Sequence, residues 1–91
     1  MNTDKQNDDQ GKVETGKDQI FSLILFNDDY HTFDYVIEAL IQICGLEPEQ
    51  ATQCTFLIHF KDKCEVRRGS NTQLLLMQRE LINLDLKAVI S

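Results

Sequence analysis

The stretch that most constrains this chain is Leu23 to Val36, LILFNDDYHTFDYV, in which an apolar run stops at an amide and two carboxylates just before helical spacing begins. Apolar residues bounded by an Asn/Asp cluster are how a strand ends in a turn. Asn27, Asp28 and Asp29 therefore fall at a strand's mouth, close to the N-terminus of the next helix. A helix N-terminus already attracts negative charge, and two adjacent carboxylates there repel one another in the absence of a cation. Such a corner suits an ammonium group. Taken alone, the same triplet also fits a solvated turn whose side chains bond nearby backbone N–H groups.

The flanking sequence supplies a small set of elements. Phe21, Leu23 and Leu25 alternate with Ser22, Ile24 and Phe26 in a strand over about Ile20 to Phe26, and two largely apolar faces imply an interior strand of a covered sheet. Phe33, Val36, Ile37, Leu40, Ile41 and Cys44 recur at helical spacing, with His31 or Thr32 as the cap, Asp34 at the positive end and Gly45 as the stop. A second helix starts at Pro48, a residue suited to the first helical position. Its inner stripe reads Ala51, Cys54, Thr55, Leu57 and Ile58, with His59 at the end. Lys63 to Arg68 alternates as a half-exposed strand. Ser70 with Gln73 fits a capping box for a third helix with the stripe Leu74, Met77 and Leu81, flanked by Leu75, Leu76 and Ile82. Leu84, Leu86, Ala88 and Ile90 then follow at period two. The order strand-helix-helix-strand-helix-strand is most economically an α+β two-layer sandwich, a three-stranded sheet packed against helices.

Composition bounds the rest. Within the 91 residues, positions 1–19 carry only Met1 and Val13 as sizeable apolar side chains, too few to offset the entropy of ordering them. The expected organisation is a disordered polar tail, 1–19, and one domain, 20–91. A net charge of −6 and the lack of a clustered positive surface argue against nucleic acid. Lys61, Lys63, Arg67 and Arg68 are interleaved with Asp62 and Glu65, as on an exposed strand face or a small docking patch. Cys44, Cys54 and Cys64 are odd in number, lack CxxC spacing and occupy apolar slots, as buried thiols in a reducing compartment do. No apolar run approaches the ~18–20 residues that cross a bilayer, and no signal segment opens the sequence, so a cytoplasmic location is expected.

The residues that carry chemistry point away from catalysis. His59 with Asp28 or Asp29 offers a base and its orienter, but no serine or cysteine stands out as a nucleophile, since Ser70 reads as a cap. Asp28, Asp29 and His59 offer oxygen and imidazole ligands, with His31 the only further histidine. Neither an enzyme, nor a metal site, nor a cofactor is expected. At the end of an apolar stripe, His59 also suits the negative end of a helix dipole.

NDDY followed by an aromatic-rich helix start, and then E-x-A-T-Q leading to I-H, resembles the ClpS adaptor family, modules that hand N-degron substrates to the unfoldase of a Clp protease. The likeness spans about Phe21 to His59, and the element order read above fits that family's fold. The resemblance implies that Asn27 and Asp28 bind the free α-amino group of a polypeptide, aided by His59, with Asp29 supporting the turn. For Asp29 the alternative role is to add negative potential. The resemblance also implies that the first side chain enters an apolar pocket walled by Leu25, Phe33, Val36, Thr55, Ile58 and Leu86. The implied partners are the N-terminal domain of a Clp AAA+ unfoldase of ClpA or ClpC type and the N-terminal segments of substrates, with no nucleic acid and no membrane. Met1 to Gln19 would serve as a delivery arm.

The chemistry of such a site is coherent. An α-amino group with a pKa near ~8 is mostly cationic at neutral pH, and a carboxylate with neutral acceptors reads that charge. Blocking the amine leaves buried acceptors unpaired, at about 1–3 kcal/mol per group. Burying a Leu or Phe side chain adds roughly 1.5–3 kcal/mol. Family members often carry methionine at the places of Phe33 and Thr55, and their charged docking residues are not recognisable in NTQLLLMQRE. An alternative is an interaction domain of the same fold without N-degron recognition, akin to the C-terminal domain of the ribosomal stalk protein.

Overall fold

The computed structural model describes residues 19–91, so the tail expected over 1–19 lies, apart from Gln19, outside the described residues. The chain runs β1 (Phe21–Phe26), α1 (Phe33–Cys44), α2 (Pro48–Lys61), β2 (Lys63–Gly69), α3 (Asn71–Asn83) and β3 (Lys87–Ile90). The strands form one sheet in the order β2-β1-β3, with β1 antiparallel to both neighbours. The strand that leads into the Asn/Asp cluster is thus the middle one.

Each helix begins and ends where its local sequence dictates. Thr32 caps α1 by accepting the Tyr35 N–H on Oγ1 at 3.1 Å. Gly45, at φ 69°, stops the helix and donates its N–H to the Leu40 carbonyl, a left-handed turn that glycine enters without a Cβ clash. Pro48 opens α2. Ser70 and Gln73 cap α3 reciprocally, the Gln73 N–H donating to Ser70 Oγ at 3.2 Å and the Ser70 N–H to Gln73 Oε1 at 3.4 Å.

The core lies between the helices and one face of the sheet. Leu23, Leu25, Val66 and Ala88 from the strands and Leu86 just before β3 meet Val36, Ala39, Leu40, Ala51, Ile58, Leu74 and Leu81 from the helices, all buried. The opposite face of β1 is only half-buried at Ser22, Ile24 and Phe26. There Ser22 Oγ donates to Glu65 at 3.0 Å and the Lys87 ammonium sits 5.5 Å from the Phe26 ring centroid. The sheet is therefore covered on one side, not two as the apolar alternation of β1 implies. Phe26 is shielded partly by the side chain of Lys87.

Three further details depart from the sequence reading. Leu57 is exposed, because it lies two residues past Thr55 and so roughly 200° round the helix from it. Cys54 and Cys64 are half-buried, whereas Cys44 is fully buried. A bulge between Leu23 and Ile24 places the extra residue of β2 around Val66. It leaves Arg67 donating from a guanidinium N–H to the Cys44 carbonyl, at 3.1 Å, near the end of α1. Arg68 in turn binds Glu65 through two N–H donors at 3.0 and 3.2 Å, so both guanidinium groups have partners on the protein while the residues themselves stay exposed, as on an ordinary exposed strand face.

Candidate functional site

A cavity of about 230 Å³ opens at the C-terminal end of β1, lined by Leu25, Phe26, Asn27, Asp28, Asp29, His31, Thr32, Phe33, Val36, Thr55, Ile58, His59 and Leu86. Every residue singled out from the sequence as a site candidate lines it. The four elements that converge there do so for plain reasons. β1 delivers Leu25 inward and ends at the Asn/Asp turn. α1 starts at Phe33 and turns Val36 inward one helical turn later. α2 presents Thr55, Ile58 and His59, and the segment entering β3 brings Leu86 to the base.

The turn itself is organised by Asp28. Its Oδ1 accepts the N–H of Tyr30 at 2.8 Å and of His31 at 2.9 Å, while Oδ2 accepts from the His31 ring Nδ1 at 2.9 Å. An ionised carboxylate only accepts, so Nδ1 carries the proton in this pair. The turn-supporting role expected of Asp29 thus belongs to Asp28, because its side chain curls back onto the two N–H groups that follow it, as an Asx turn requires. Asp29 is exposed at the rim. Asp28 still has capacity for a further donor, since two carboxylate oxygens offer about four lone-pair sites and three are used.

Electrostatics favour the charged form of Asp28. Partial burial pushes its carboxyl up, but the hydrogen bonds from the His31 ring and from the backbone N–H groups of His31 and Tyr30 outweigh that and leave it below the usual carboxylate range. His31 was not among the residues expected to build a site, beyond its possible place in the helix cap. Its ring stacks on Tyr35 with centroids 4.6 Å apart and reaches toward Asp85, Nε2 to Oδ2 3.9 Å. Tyr35 donates its hydroxyl to the Leu84 carbonyl at 2.8 Å. The carboxylate, the imidazole, the phenol and the β3 approach thereby form one connected wall. The signal for His31 was its position three residues after an Asx-turn aspartate.

Asn27 is held differently. Its backbone N–H donates to the Asp62 carbonyl at 2.8 Å, fixing the end of β1 against the turn after α2, where Asp62 adopts φ 75°. Among the described residues its side-chain amide makes no hydrogen bond to protein. His59 is exposed at the rim, its ring edge-on to Phe33 at 5.2 Å and to Phe60 at 4.8 Å. Asp28 and His59 thus border one opening without pairing with each other.

The apolar end is walled by side chains of the core. Leu25, Val36, Ile58 and Leu86 are buried, and so is Thr55. Thr55 looks like a polar floor in the sequence, but its hydroxyl donates to the Ala51 carbonyl at 2.8 Å. A hydroxyl committed to its own helix leaves no unpaired donor in the cavity.

Cysteine chemistry has no foothold beside the cavity. Burial pushes the Cys44 thiol up to about 11, and burial together with the adjacent Cys54 thiol pushes Cys64 up to about 12. Both stay protonated at neutral pH, and the thiol form is a poor nucleophile and metal ligand. Among the described residues, no group of three His, Cys, Asp or Glu side chains is placed to hold a metal ion.

A three-stranded antiparallel sheet under three helices, with a carboxylate-bearing notch opening into an apolar-walled cavity, defines a small α+β domain with one face of its sheet covered. The chain belongs to the family described as ATP-dependent Clp protease adaptor protein ClpS, whose profile matches residues 16–87. An ATP-dependent Clp protease adapter protein ClpS from Neisseria meningitidis serogroup A / serotype 4A is 35% identical over 63 residues, which are 68% of this chain and 61% of that protein. The Edwardsiella ictaluri protein of the same name is 33% identical over 63 residues, 69% of this chain and 59% of its own length. The chain thus spans somewhat less than two thirds of these curated relatives. Among solved structures, Agrobacterium tumefaciens ClpS2 bound to L-phenylalaninamide superposes with a TM-score of 0.75 at 15% identity, covering 79% of this chain and 94% of that one. At that identity the likeness establishes the shared fold. No helix among the described residues is long and apolar enough to cross a membrane.

Proposed function

We propose that the cavity receives the first residue of a polypeptide, and that the protein is an adaptor that presents such N-degron substrates to a Clp unfoldase for degradation. The observation that carries this reading is the arrangement of the cavity: Asn27, Asp28 and His59 border its mouth and Leu25, Phe33, Val36, Thr55, Ile58 and Leu86 wall its interior. Asp28 offers a carboxylate to the α-ammonium group, Asn27 an amide oxygen, and His59 a ring nitrogen acting directly or through water. An internal peptide bond has no charge to match these groups, so the site reads chain starts. The interior has room for a ring, given that an apolar cavity of about 150 Å³ accommodates benzene.

Two comparisons support the reading. The family's printed description is that of a Clp protease adaptor, and the related-fold Agrobacterium protein was solved with an amino-acid amide that has a free amine and an aromatic side chain. The partner is then the N-terminal domain of a Clp AAA+ unfoldase of ClpA or ClpC type, the setting the cytoplasm, and the work binding without catalysis. Residues 1–19 act in it as a delivery arm.

The test is a set of peptides that differ only in residue one, titrated by fluorescence anisotropy. Free N-terminal Phe and Leu bind best, small first residues bind weakly, and acetylating the Phe peptide removes most of the affinity. Asp28→Asn weakens the free Phe peptide by roughly tenfold or more, the magnitude of a hydrogen bond to a charged group. Equal binding of the free and acetylated peptides sinks the reading.

A further inference from the structure

We infer that Tyr35, which stands outside the cavity wall, is a positioning residue for both ends of the site. Its ring holds the His31 imidazole on Asp28 at the amine end, and its hydroxyl holds the approach to β3 so that Leu86 stays at the apolar base. The inference rests on the first-residue reading above and adds to it the side chain that links the two halves.

Helical spacing puts Tyr35 where it can reach both. It follows Phe33 by two positions and precedes Val36 by one, so at about 100° per residue it lies to one side of the face that those two turn toward the cavity. On that side its phenol stacks on the His31 imidazole, with 4.6 Å between centroids and 14° between planes. A ring held in that plane directs its nitrogens edgewise. Nδ1 meets Asp28 Oδ2 at 2.9 Å, and Nε2 lies 3.9 Å from Asp85 Oδ2. The stack thus fixes the aim of the donor that keeps the Asp28 carboxylate turned.

The oxygen of the same side chain acts on the other end. It donates its hydroxyl proton to the Leu84 carbonyl at 2.8 Å. Leu84 closes α3, and the carbonyls that end a helix meet no N–H of that helix. Two residues later Leu86 is buried at the cavity base, its N–H on the Leu81 carbonyl at 3.0 Å. Between them Asp85 holds φ 67°, a left-handed conformation that is costly for a residue with a Cβ and persists where its surroundings fix it. The Leu84 carbonyl belongs to the peptide plane whose rotation is that φ, so the Tyr35 hydroxyl anchors the plane that sets the path to Leu86. One phenol therefore serves the carboxylate through its face and the apolar base through its oxygen, and substitution separates the two.

The experiment uses the full chain and three peptides that share all later residues and a C-terminal fluorophore, beginning Phe, acetyl-Phe and Ala. Within one protein, the free-to-acetyl affinity ratio reads the amine end and the Phe-to-Ala ratio reads the apolar end. Tyr35→Phe keeps the stacked ring and loses the hydroxyl. Its Phe-to-Ala ratio is expected to fall roughly threefold while its free-to-acetyl ratio stays unchanged. Tyr35→Leu and, independently, Tyr35→Met lose the stack as well, and both ratios fall. A loss of fold stability alone moves neither ratio, because each compares ligands of the same folded protein. An unchanged Phe-to-Ala ratio in Tyr35→Phe, a free-to-acetyl ratio that falls with it, or a free-to-acetyl ratio that survives loss of the stack overturns the inference. Failure of the first-residue reading looks different, because free and acetylated Phe peptides then bind alike in the unsubstituted protein.

Discussion

At the scale of single residues, the site turns on how one carboxylate is held. Asp28 serves twice, as the acceptor that shapes the turn and as the anion of the mouth, and His31 makes both possible by donating its ring N–H as well as its backbone N–H. Burial raises the Asp28 carboxyl and these bonds lower it by more. Its contribution to stability is therefore fully present above the unfolded value of about 3.9 and is lost as pH falls through the lower folded value. In His31→Ala the ring's hydrogen bond is gone, so the folded value of Asp28 rises. The acid unfolding midpoint, followed by circular dichroism, moves to higher pH, and affinity for a free N-terminal Phe peptide drops about three- to tenfold. His31→Asn, which retains a side-chain donor, recovers part of both. An unmoved acid midpoint in His31→Ala contradicts this account of the turn. Asn27, Asp28 and His59 stood out in the sequence only together, through the family resemblance, since the triplet alone also fits a solvated turn and His59 alone a helix end. The Asp28–His31 pair did not, because either aspartate of the triplet has the chemistry to close an Asx turn and only the backbone path decides which one does.

At the scale of elements, local chemistry fixed the helix ends and tertiary contact fixed the rest. Thr32, Gly45, Pro48 and the Ser70–Gln73 box are read from short spacings, since caps bond within three or four residues. Gly45 illustrates the energetics: at φ 69° with no atom within 4 Å of where a Cβ would stand, Gly45→Ala meets a backbone penalty and no clash. Urea unfolding of Gly45→Ala is expected to show a loss of about 1 kcal/mol. The peptide affinity stays unchanged, because Gly45 is about 18 Å along α1 from its start at the cavity. A loss above ~3 kcal/mol, or a change in affinity, contradicts it. The bulge that sends Arg67 to the Cys44 carbonyl was invisible in the sequence. So was the one-sided covering of the sheet, because alternation of apolar residues in β1 records only that both faces are partly shielded, not by what.

At the scale of the molecule, a small sheet and three helices build a core around Leu23, Leu25, Leu40, Leu74 and Leu81, each essentially excluded from water, and leave a gap beside it at the end of the middle strand. That placement follows from topology. β1 is flanked on both sides, so its C-terminal end is the point where α1, α2 and the approach to β3 all converge, and Asn27 is tied there through Asp62. The element order was readable from the chain because each apolar stripe has its own period, whereas the residues lining the cavity came from the family resemblance. The gap itself needed coordinates, since volume and exposure are sums over residues distant in sequence.

The central claim, a carboxylate notch and an apolar cavity gripping one terminal residue by its amine and its side chain, is tested most directly by comparing L-phenylalaninamide with 3-phenylpropanamide, the same amide lacking the amine, in calorimetric titrations from pH 7 to 10. The account predicts that the amine confers at least roughly tenfold tighter binding at pH 7, and that the advantage fades as the pH passes about 8 and the ammonium loses its proton. Equal affinities at pH 7, or an advantage that does not change across this range, contradict it.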